Sequence, residues 1–460
     1  MNAFTLRPDN NCTHIRSTAA SCWQVASPLA SEEAPQKTID LDGGAVRQTI
    51  DGFGGCFNEL GHMALCSAAA ETQQRVMEKL FSDQGCGFSL CRMPVGANDF
   101  STSYYSFNEV RNDYGMEHFS IERDRRELIP YIRKALAIRP GLGLWASPWC
   151  PPQWLKQSGV YQCAAANANW GQEEGHDCKD LKETSYIREE KEVLKAYALY
   201  LAKFVQAYAR EGIIIGAVHP QNEVFAAQIF PSCLWKKEVM VDFMVNYLKP
   251  AFDAHHLDTA IWFGTMNGGD YEYVDYILSH PEVRRIATGV GLQWFGKEIV
   301  EKIHAQHPGY RIMQTESECR GGRNDWRDAM YTFKQMRHYF NNGAASYMYW
   351  NLILDEFGLS NWGWRQNSLV SVNKHTGEAV YNPELYIMKH FSHFVRPGAC
   401  RIESGDPEVL LFRNGDGAMV AVLANESPAA QVVEFVGQGH AAAVTLPPES
   451  VNTVVCLIDS

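Results

Sequence analysis

Residues 213–223 read IIIGAVHPQNE, a nearly unbroken apolar run from Ile213 to Pro220 that ends in Gln221, Asn222 and Glu223. A run of this length without polar alternation suits a strand buried on both faces, as in a parallel sheet covered by helices. Runs of the same kind recur at Gly52–Phe57, Phe88–Pro94, Leu142–Ser147, Ala260–Met266, Ala287–Trp294, Arg311–Glu316 and Ala345–Asn351. Between several of them lie segments with helical apolar periodicity: Glu71–Ser82, Arg123–Ile138, Glu189–Arg210, Lys236–Ala254, Tyr271–His280 and Trp326–Asn341. Eight strands with helices between them is the count of a (β/α)8 TIM barrel. A doubly wound open sheet is the rival, but no glycine-rich turn after the first run marks a dinucleotide site.

The two ends follow another pattern. Residues 396–460 are short alternating runs with no helical period, and Asn414-Gly415-Asp416-Gly417 between two of them is a hairpin turn signal. Residues 36–50 also read as strand. We therefore expect a barrel over residues 48–390, flanked by a β-sandwich domain over residues 391–460. An N-terminal segment, residues 1–47, contributes a strand to that domain.

Composition narrows the function. The 460 residues carry 41 Lys+Arg against 53 Asp+Glu, a net charge of −12 that offers no footprint for nucleic acid or an anionic membrane. No apolar run is long enough to span a bilayer, and the N-terminus lacks the apolar core of an export signal, so a cytoplasmic chain is expected. The thirteen cysteines show no paired spacing, and most sit in apolar runs, Cys91 and Cys456 among them; they read as reduced core thiols. The histidine pairs His304/His307, His390/His393 and His255/His256 lack a nearby carboxylate or thiolate to complete a ligand set, so no metal site is expected. Twelve Trp, 20 Tyr and 22 Phe suit a neutral ligand with faces to stack on.

In a barrel, reactive residues stand where strands end and the following loops begin. The expected strands are followed by Asn58-Glu59, Asn98-Asp99, Ser147-Pro148-Trp149, Gln221-Asn222-Glu223, Gln293-Trp294, Thr315-Glu316 and Trp350-Asn351. Amides and carboxylates bind hydroxyls, and tryptophan faces stack on sugar C–H surfaces, so this rim suits a carbohydrate. Two carboxyl groups across a rim are the minimum for glycoside hydrolysis, one to protonate the leaving oxygen and one to attack or activate water. The dipeptide Asn-Glu carries no signal alone, since it also occurs at 58–59, 108–109 and 425–426. Position after the buried run singles out Asn222-Glu223, and Glu316 follows the seventh strand as its counterpart; solvated loop acids are the alternative reading of both.

The motifs DGFGG (51–55), CRMPVGANDFS (91–101), WASPWCPPQWLK (145–156), PQNE (220–223), QTESEC (314–319) and YWN (349–351) stand in the order seen in glycoside hydrolase family 30, which this chain resembles over nearly its whole length. That family contains glucosylceramidases, β-1,6-glucanases and β-xylosidases. The resemblance implies a TIM barrel with a β-sandwich, retaining chemistry, and no metal or cofactor. It maps the acid/base onto Glu223 and the nucleophile onto Glu316. Val224 stands where proline often follows the acid/base, and Gln293-Trp294-Phe295 replaces the His-Trp-Tyr of animal glucosylceramidases. With FNELG (57–61) and WGWRQNS (362–368), this is closer to the bacterial branch that includes β-1,6-glucanases, and glucosylceramide is expected to be a poor substrate. A β-xylosidase or β-fucosidase of the same family is the alternative, and a non-catalytic sugar-binding barrel the alternative of another class.

Further roles follow from place. Asn222 is expected at the sugar 2-hydroxyl, Arg92 beside a site carboxylate, and Asp99 on vicinal hydroxyls of a terminal sugar, which would give exo action. Trp149, Trp294 and Trp350 are candidate stacking faces. Asn367 or its neighbour Gln366 could reach the sugar, and Glu59 is either a sugar ligand or a helix cap. Glu318 competes with Glu316 for the nucleophile, since residues i and i+2 of an extended strand share a side.

Overall fold

The computed structural model describes residues 12–26, 34–163, 183–437 and 440–457. The reading of the extreme N-terminus, residues 1–11, lies outside them.

Eight parallel strands close a barrel: β1 (Gly52–Cys56), β2 (Leu90–Pro94), β3 (Gly143–Ser147), β4 (Ala217–Val218), β5 (Ala260–Met266), β6 (Ala287–Leu292), β7 (Arg311–Gln314) and β8 (Ala344–Asn351). The ring shuts where β8 pairs with β1, Ser346 opposite Gly52 and Tyr347 opposite Phe53. Glycine is required at Gly54, where a Cβ would lie 1.8 Å from the Leu90 carbonyl oxygen of β2. The barrel floor is an apolar plug of Trp145, Ala217, Trp262, Met313 and Met348. Above it the interior turns polar: Arg92 projects from within β2, and Asn222-Glu223, Gln293 and Glu316 follow the ends of β4, β6 and β7.

Most helices coincide with the amphipathic segments; the longest, Lys191–Arg210, buries one face along its whole length. Arg123–Ile138 divides into Glu122–Arg126 and Ile129–Ile138, because Pro130 has no N–H to continue the ladder. Lys237–Ala254 carries a π-helical stretch, Phe243–Leu248, immediately before Pro250. Helices at Glu59–Cys66, Val300–Gln306 and Pro383–Ser392 were not expected from periodicity. The last is buried nearly all round, so it has no polar face to give a period. The expected fourth strand is also shorter than its apolar run: Ile214 is 70% exposed, and only Ala217 and Val218 pair.

The flanking domain is a β-sandwich of a seven-stranded and a three-stranded sheet. Val409–Arg413 and Met419–Asn425 form the expected hairpin, and Asn414 at its turn accepts from Arg396 N–H and donates to the Phe394 carbonyl, docking the turn onto the barrel. The N-terminal contribution exceeds the single strand expected. Cys12–Ser17, Gln24–Ala26 and Val46–Thr49 join the larger sheet, and Lys37–Asp40 joins the smaller one. Cys12 and Cys456, opposite one another on paired strands, form a disulfide, which corrects the reading of Cys456 as a reduced thiol. Among the described residues, no helix is long and apolar enough to cross a membrane. Of the histidine pairs, His390 is held between Thr453 and Ser17 where the barrel meets the sandwich, His307 pairs with Asp275 at 2.8 Å, and His256 and His304 are exposed.

Candidate active site

The site is built from the strand ends inward. Asn222 and Glu223 follow β4, and their backbone is fixed by bonds to its neighbours: Asn222 N–H to the Pro148 carbonyl at 2.7 Å, and Glu223 N–H to the Thr265 carbonyl at 3.0 Å. Glu223 has φ +52°, and Trp294 after β6 has φ +48°. Both lie in the left-handed region that side chains with a Cβ rarely adopt, a cost met where surrounding structure dictates the conformation.

Arg92, fully buried at the end of β2, organises the layer above the apolar floor. Its guanidinium donates to Glu316 Oε2 at 2.7 Å, to Asn222 Oδ1 at 2.7 Å and to Ser147 Oγ at 2.9 Å. Trp149, Trp145 and Trp350 surround it at 4.4, 5.0 and 5.4 Å. An arginine has donors enough for all three partners and a flat face for the indoles, which a lysine lacks.

Gln293, at the end of β6, joins the two acids. Its Nε2 donates to Glu223 Oε1 at 2.9 Å and to Glu316 Oε2 at 3.1 Å. Its Oε1 accepts from Thr315 Oγ1 at 2.8 Å, which fixes which end of the amide faces the carboxylates. Two oxygens on one nitrogen can be no more than about 6 Å apart, the sum of those distances. Glu316 gains a further donor, Trp294 Nε1 at 3.0 Å from its Oε1.

Burial pushes the Glu223 carboxyl up to about 8, helped by the Glu316 charge and opposed by Gln293 and Arg92. Burial raises Glu316 as well, against the pull of Arg92, Trp294 and Gln293. Among the described residues, Glu316 holds the guanidinium and two N–H donors, whereas Glu223 has the Gln293 amide alone. The pair therefore loses its first proton from Glu316 and keeps its second on Glu223. Asp99 is raised well above the usual carboxylate range, by burial and then by the charges of Glu316 and Glu223. Its Oδ1 has no partner among the described residues.

These groups open on a cavity of about 130 Å³ lined by Asp99, Trp149, Asn222, Glu223, Trp294 and Glu316 of the expected set, with Gln228, Phe230, Asn267, Phe295 and Gln366. Asn222 Oδ1 is occupied by Arg92 and by Thr265 Oγ1 at 2.7 Å, so its amide NH2 is the end left for a ligand. Trp350 sits behind Trp149, ring centroids 5.2 Å apart, and is not among the lining residues. Its expected place as a stacking face is thereby corrected to a support for Arg92. Trp294 is a hydrogen-bond donor to Glu316 as well as a wall. Asn367 is withdrawn from the pocket, donating to Asp328 and Glu384, while Gln366 lines it. Glu59 is neither ligand nor cap: Arg123 and Thr102 take both its oxygens, and Asn58 caps the helix.

Glu318 points elsewhere. It is held by Lys297, by Tyr331 at 2.7 Å and by Gln335 at 2.8 Å, on the helix side of the chain. Strand β7 ends at Gln314, so the rule that i and i+2 share a side does not reach these two acids. The sequence reading missed Gln293 as the bridge between Glu223 and Glu316, taking it as a rim amide standing where animal glucosylceramidases carry a histidine. It also passed over Gln228 and Asn267, which stand in loops without a motif.

Comparison with known proteins agrees with this architecture. The family model described as "Glycosyl hydrolase family 30 TIM-barrel domain" matches residues 50–395, and "Glycosyl hydrolase family 30 beta sandwich domain" matches residues 398–454. The "Putative glucosylceramidase 3" of Caenorhabditis elegans is 28% identical, covering 93% of this chain and 83% of its own. "Endo-1,6-beta-D-glucanase neg1" of Aspergillus fumigatus is 25% identical, covering 89% of this chain and 85% of its own. Among solved structures, SrfJ from Salmonella typhimurium superposes with a TM-score of 0.85 at 23% identity, covering 97% of this chain and all of the other.

Proposed function

The chain belongs to glycosyl hydrolase family 30, a family of glycoside hydrolases, and on that premise we propose that it cleaves β-linked glucosides from the non-reducing end with retention of configuration. The observation that carries the mechanism is the single amide nitrogen of Gln293 shared by Glu223 and Glu316. It brings one oxygen of each carboxyl within about 6 Å of the other, which supports the close carboxyl pair of a retaining enzyme over the roughly 6.5–9.5 Å separation that leaves room for an interposed water.

Glu316 enters as carboxylate and attacks the anomeric carbon, while Glu223 gives its proton to the glycosidic oxygen as that C–O bond breaks. Glu223, now ionised, then takes a proton from water, whose oxygen attacks the same carbon and releases Glu316. The first step needs Glu316 ionised and Glu223 protonated together, the order in which burial and Arg92 place their pKa values. The free NH2 of Asn222 suits the sugar 2-hydroxyl, a contact that strengthens as the anomeric centre turns oxocarbenium-like. Asp99, buried with one oxygen unpartnered, suits two vicinal hydroxyls of a terminal glucose, with Trp149 as the stacking wall.

The relatives split between glucosylceramidases and endo-1,6-β-glucanases by name. Gln293 and Phe295 in place of histidine and tyrosine favour small β-glucosides, 1,6-linked ones included, over glucosylceramide. A panel of nitrophenyl β-glucoside, β-xyloside, β-fucoside and β-galactoside with gentiobiose tests this, with the first-formed anomer read by NMR. The β-glucoside and gentiobiose are expected to be cleaved with β-glucose released first. Initial α-glucose would refute retention, and faster cleavage of xylan than of any small β-glucoside would refute the substrate class. A non-catalytic barrel would leave the whole panel intact.

A further inference from the structure

We infer that Asn267 and Gln228 form a polar subsite for the leaving group, and that this leaving group is a polyol, a second sugar, rather than an aryl or lipid moiety. The inference rests on the reaction proposed above and names the other half of its substrate.

The placement follows from strand geometry. Thr265 on β5 turns its hydroxyl inward to Asn222 Oδ1 at 2.7 Å. Asn267 follows Met266, the last residue of β5, and its side chain lines the cavity beside Asn222 and Glu223. Its backbone is held there by the Phe295 N–H donating to the Asn267 carbonyl at 3.3 Å. Gln228 stands five residues past Glu223, and its N–H and carbonyl are both engaged, by Ser232 Oγ and by the Cys163 N–H. Both side chains line the cavity. Asn267 Oδ1 is a buried oxygen without a donor among the described residues.

These two amides flank Glu223, the residue that hands its proton to the departing oxygen. In the barrel order Asp99 and Trp149, from β2 and β3, lie on the other side of Glu223 from Asn267 after β5, and they take the glycone. A group released by protonation from Glu223 therefore departs between Asn267 and Gln228. Neither amide carries charge, so an anionic leaving group gains nothing there. A buried amide oxygen wants an O–H donor, which each hydroxyl of a sugar supplies and a nitrophenyl ring or alkyl chain does not. A site built to bond a hydroxyl discriminates against analogues that lack it, because its own polar atoms are then left unpaired.

The test compares kcat/KM for gentiobiose with kcat/KM for nitrophenyl β-glucoside in the wild-type chain, Asn267→Ala and Gln228→Ala. The two substrates share the glycone and differ only in what leaves. The ratio of gentiobiose to aryl glucoside is expected to fall about 3- to 10-fold in each variant, the scale of one neutral hydrogen bond. Because the aryl substrate is measured on the same preparation, a folding defect lowers both numerators and leaves the ratio alone. Ratios within twofold of wild type in both variants would overturn the subsite, whether or not both activities drop together. A wild-type chain that releases nitrophenol from no β-glycoside would instead refute the underlying reaction, and the subsite with it.

Discussion

Replacing Gln293 by Met would remove the one donor that Glu223 and Glu316 share while keeping an unbranched side chain of similar length. Gln293 Nε2 lies 2.9 Å from one carboxyl and 3.1 Å from the other, and it lowers the pKa of both. Its loss therefore raises both. A hydrogen bond to a charged group contributes about 1.5–3 kcal/mol, and one pKa unit corresponds to about 1.4 kcal/mol. The Glu316 carboxyl should thus rise by about 1 to 2 units. The acid limb of kcat/KM against pH reports ionisation of the free enzyme, so that limb moves to higher pH by the same amount. The alkaline limb, set by loss of the Glu223 proton near pH 8, moves upward too. The two limbs belong to the pair as macroscopic constants, so both are fitted together. Below the displaced acid limb the variant should lose about 10- to 100-fold in kcat/KM. Thr315 Oγ1 retains the Leu292 carbonyl at 3.3 Å, which keeps the strand end in place. An acid limb unmoved within about 0.3 units, or moved downward, would refute the reading of Gln293 as the shared donor.

Glu223→Ala should slow substrates with poor leaving groups by about 100- to 10,000-fold, and azide should restore turnover through a β-glycosyl azide; absence of that product would reject the acid/base role. Arg92→Met strips Glu316 of its buried cation, at a cost of about 3–5 kcal/mol in denaturant unfolding, and should raise the acid limb as well. A variant as stable as wild type would contradict the guanidinium's central place. Trapping with a 2-deoxy-2-fluoro glucoside and mapping the peptide by mass spectrometry should place the label on Glu316, and a label on Glu318 would reverse the assignment.

The barrel was legible because parallel strands covered by helices must be apolar on both faces, so each reads as an uninterrupted run. The same rule overreached at Ile213–Pro220. Apolarity there marks burial of Ile213 and Ile215 in the approach to the strand as much as pairing within it, while Ile214 points out. Helix Pro383–Ser392 was hidden for the opposite reason, since an element packed between barrel and sandwich has no solvent face. The pairing of Cys12–Ser17 with Ser450–Cys456 spans almost the whole chain, and nothing local announces a partner that distant. Cysteine spacing likewise cannot state which thiols meet in space.

The site was less legible than the fold because its distinguishing property is a lack of partners. Four glutamates follow an asparagine in this chain. Glu59 is neutralised by Arg123 at 2.7 Å, Glu109 accepts from Ser106 N–H at 2.6 Å and from Tyr161, and Glu426 pairs with Lys334 at 2.6 Å. Glu223 is buried, and among the described residues the Gln293 amide is the one donor to its carboxyl, so it is pushed toward holding a proton near neutrality. A different contrast, of direction, separates Glu316 from Glu318. Glu318 pairs with Lys297 beside a tyrosine and a glutamine. Glu316 is ion-paired from beneath by Arg92 while its carboxylate still faces the cavity. Residue type and spacing offered these acids as equals; what separates them is which cation the fold brings to each, and from which side. Each accepts three side-chain hydrogen bonds, Glu316 from Arg92, Gln293 and Trp294 and Glu318 from Lys297, Tyr331 and Gln335, so direction and not the number of partners decides: of the two, only Glu316 lines the cavity where an anomeric carbon would sit.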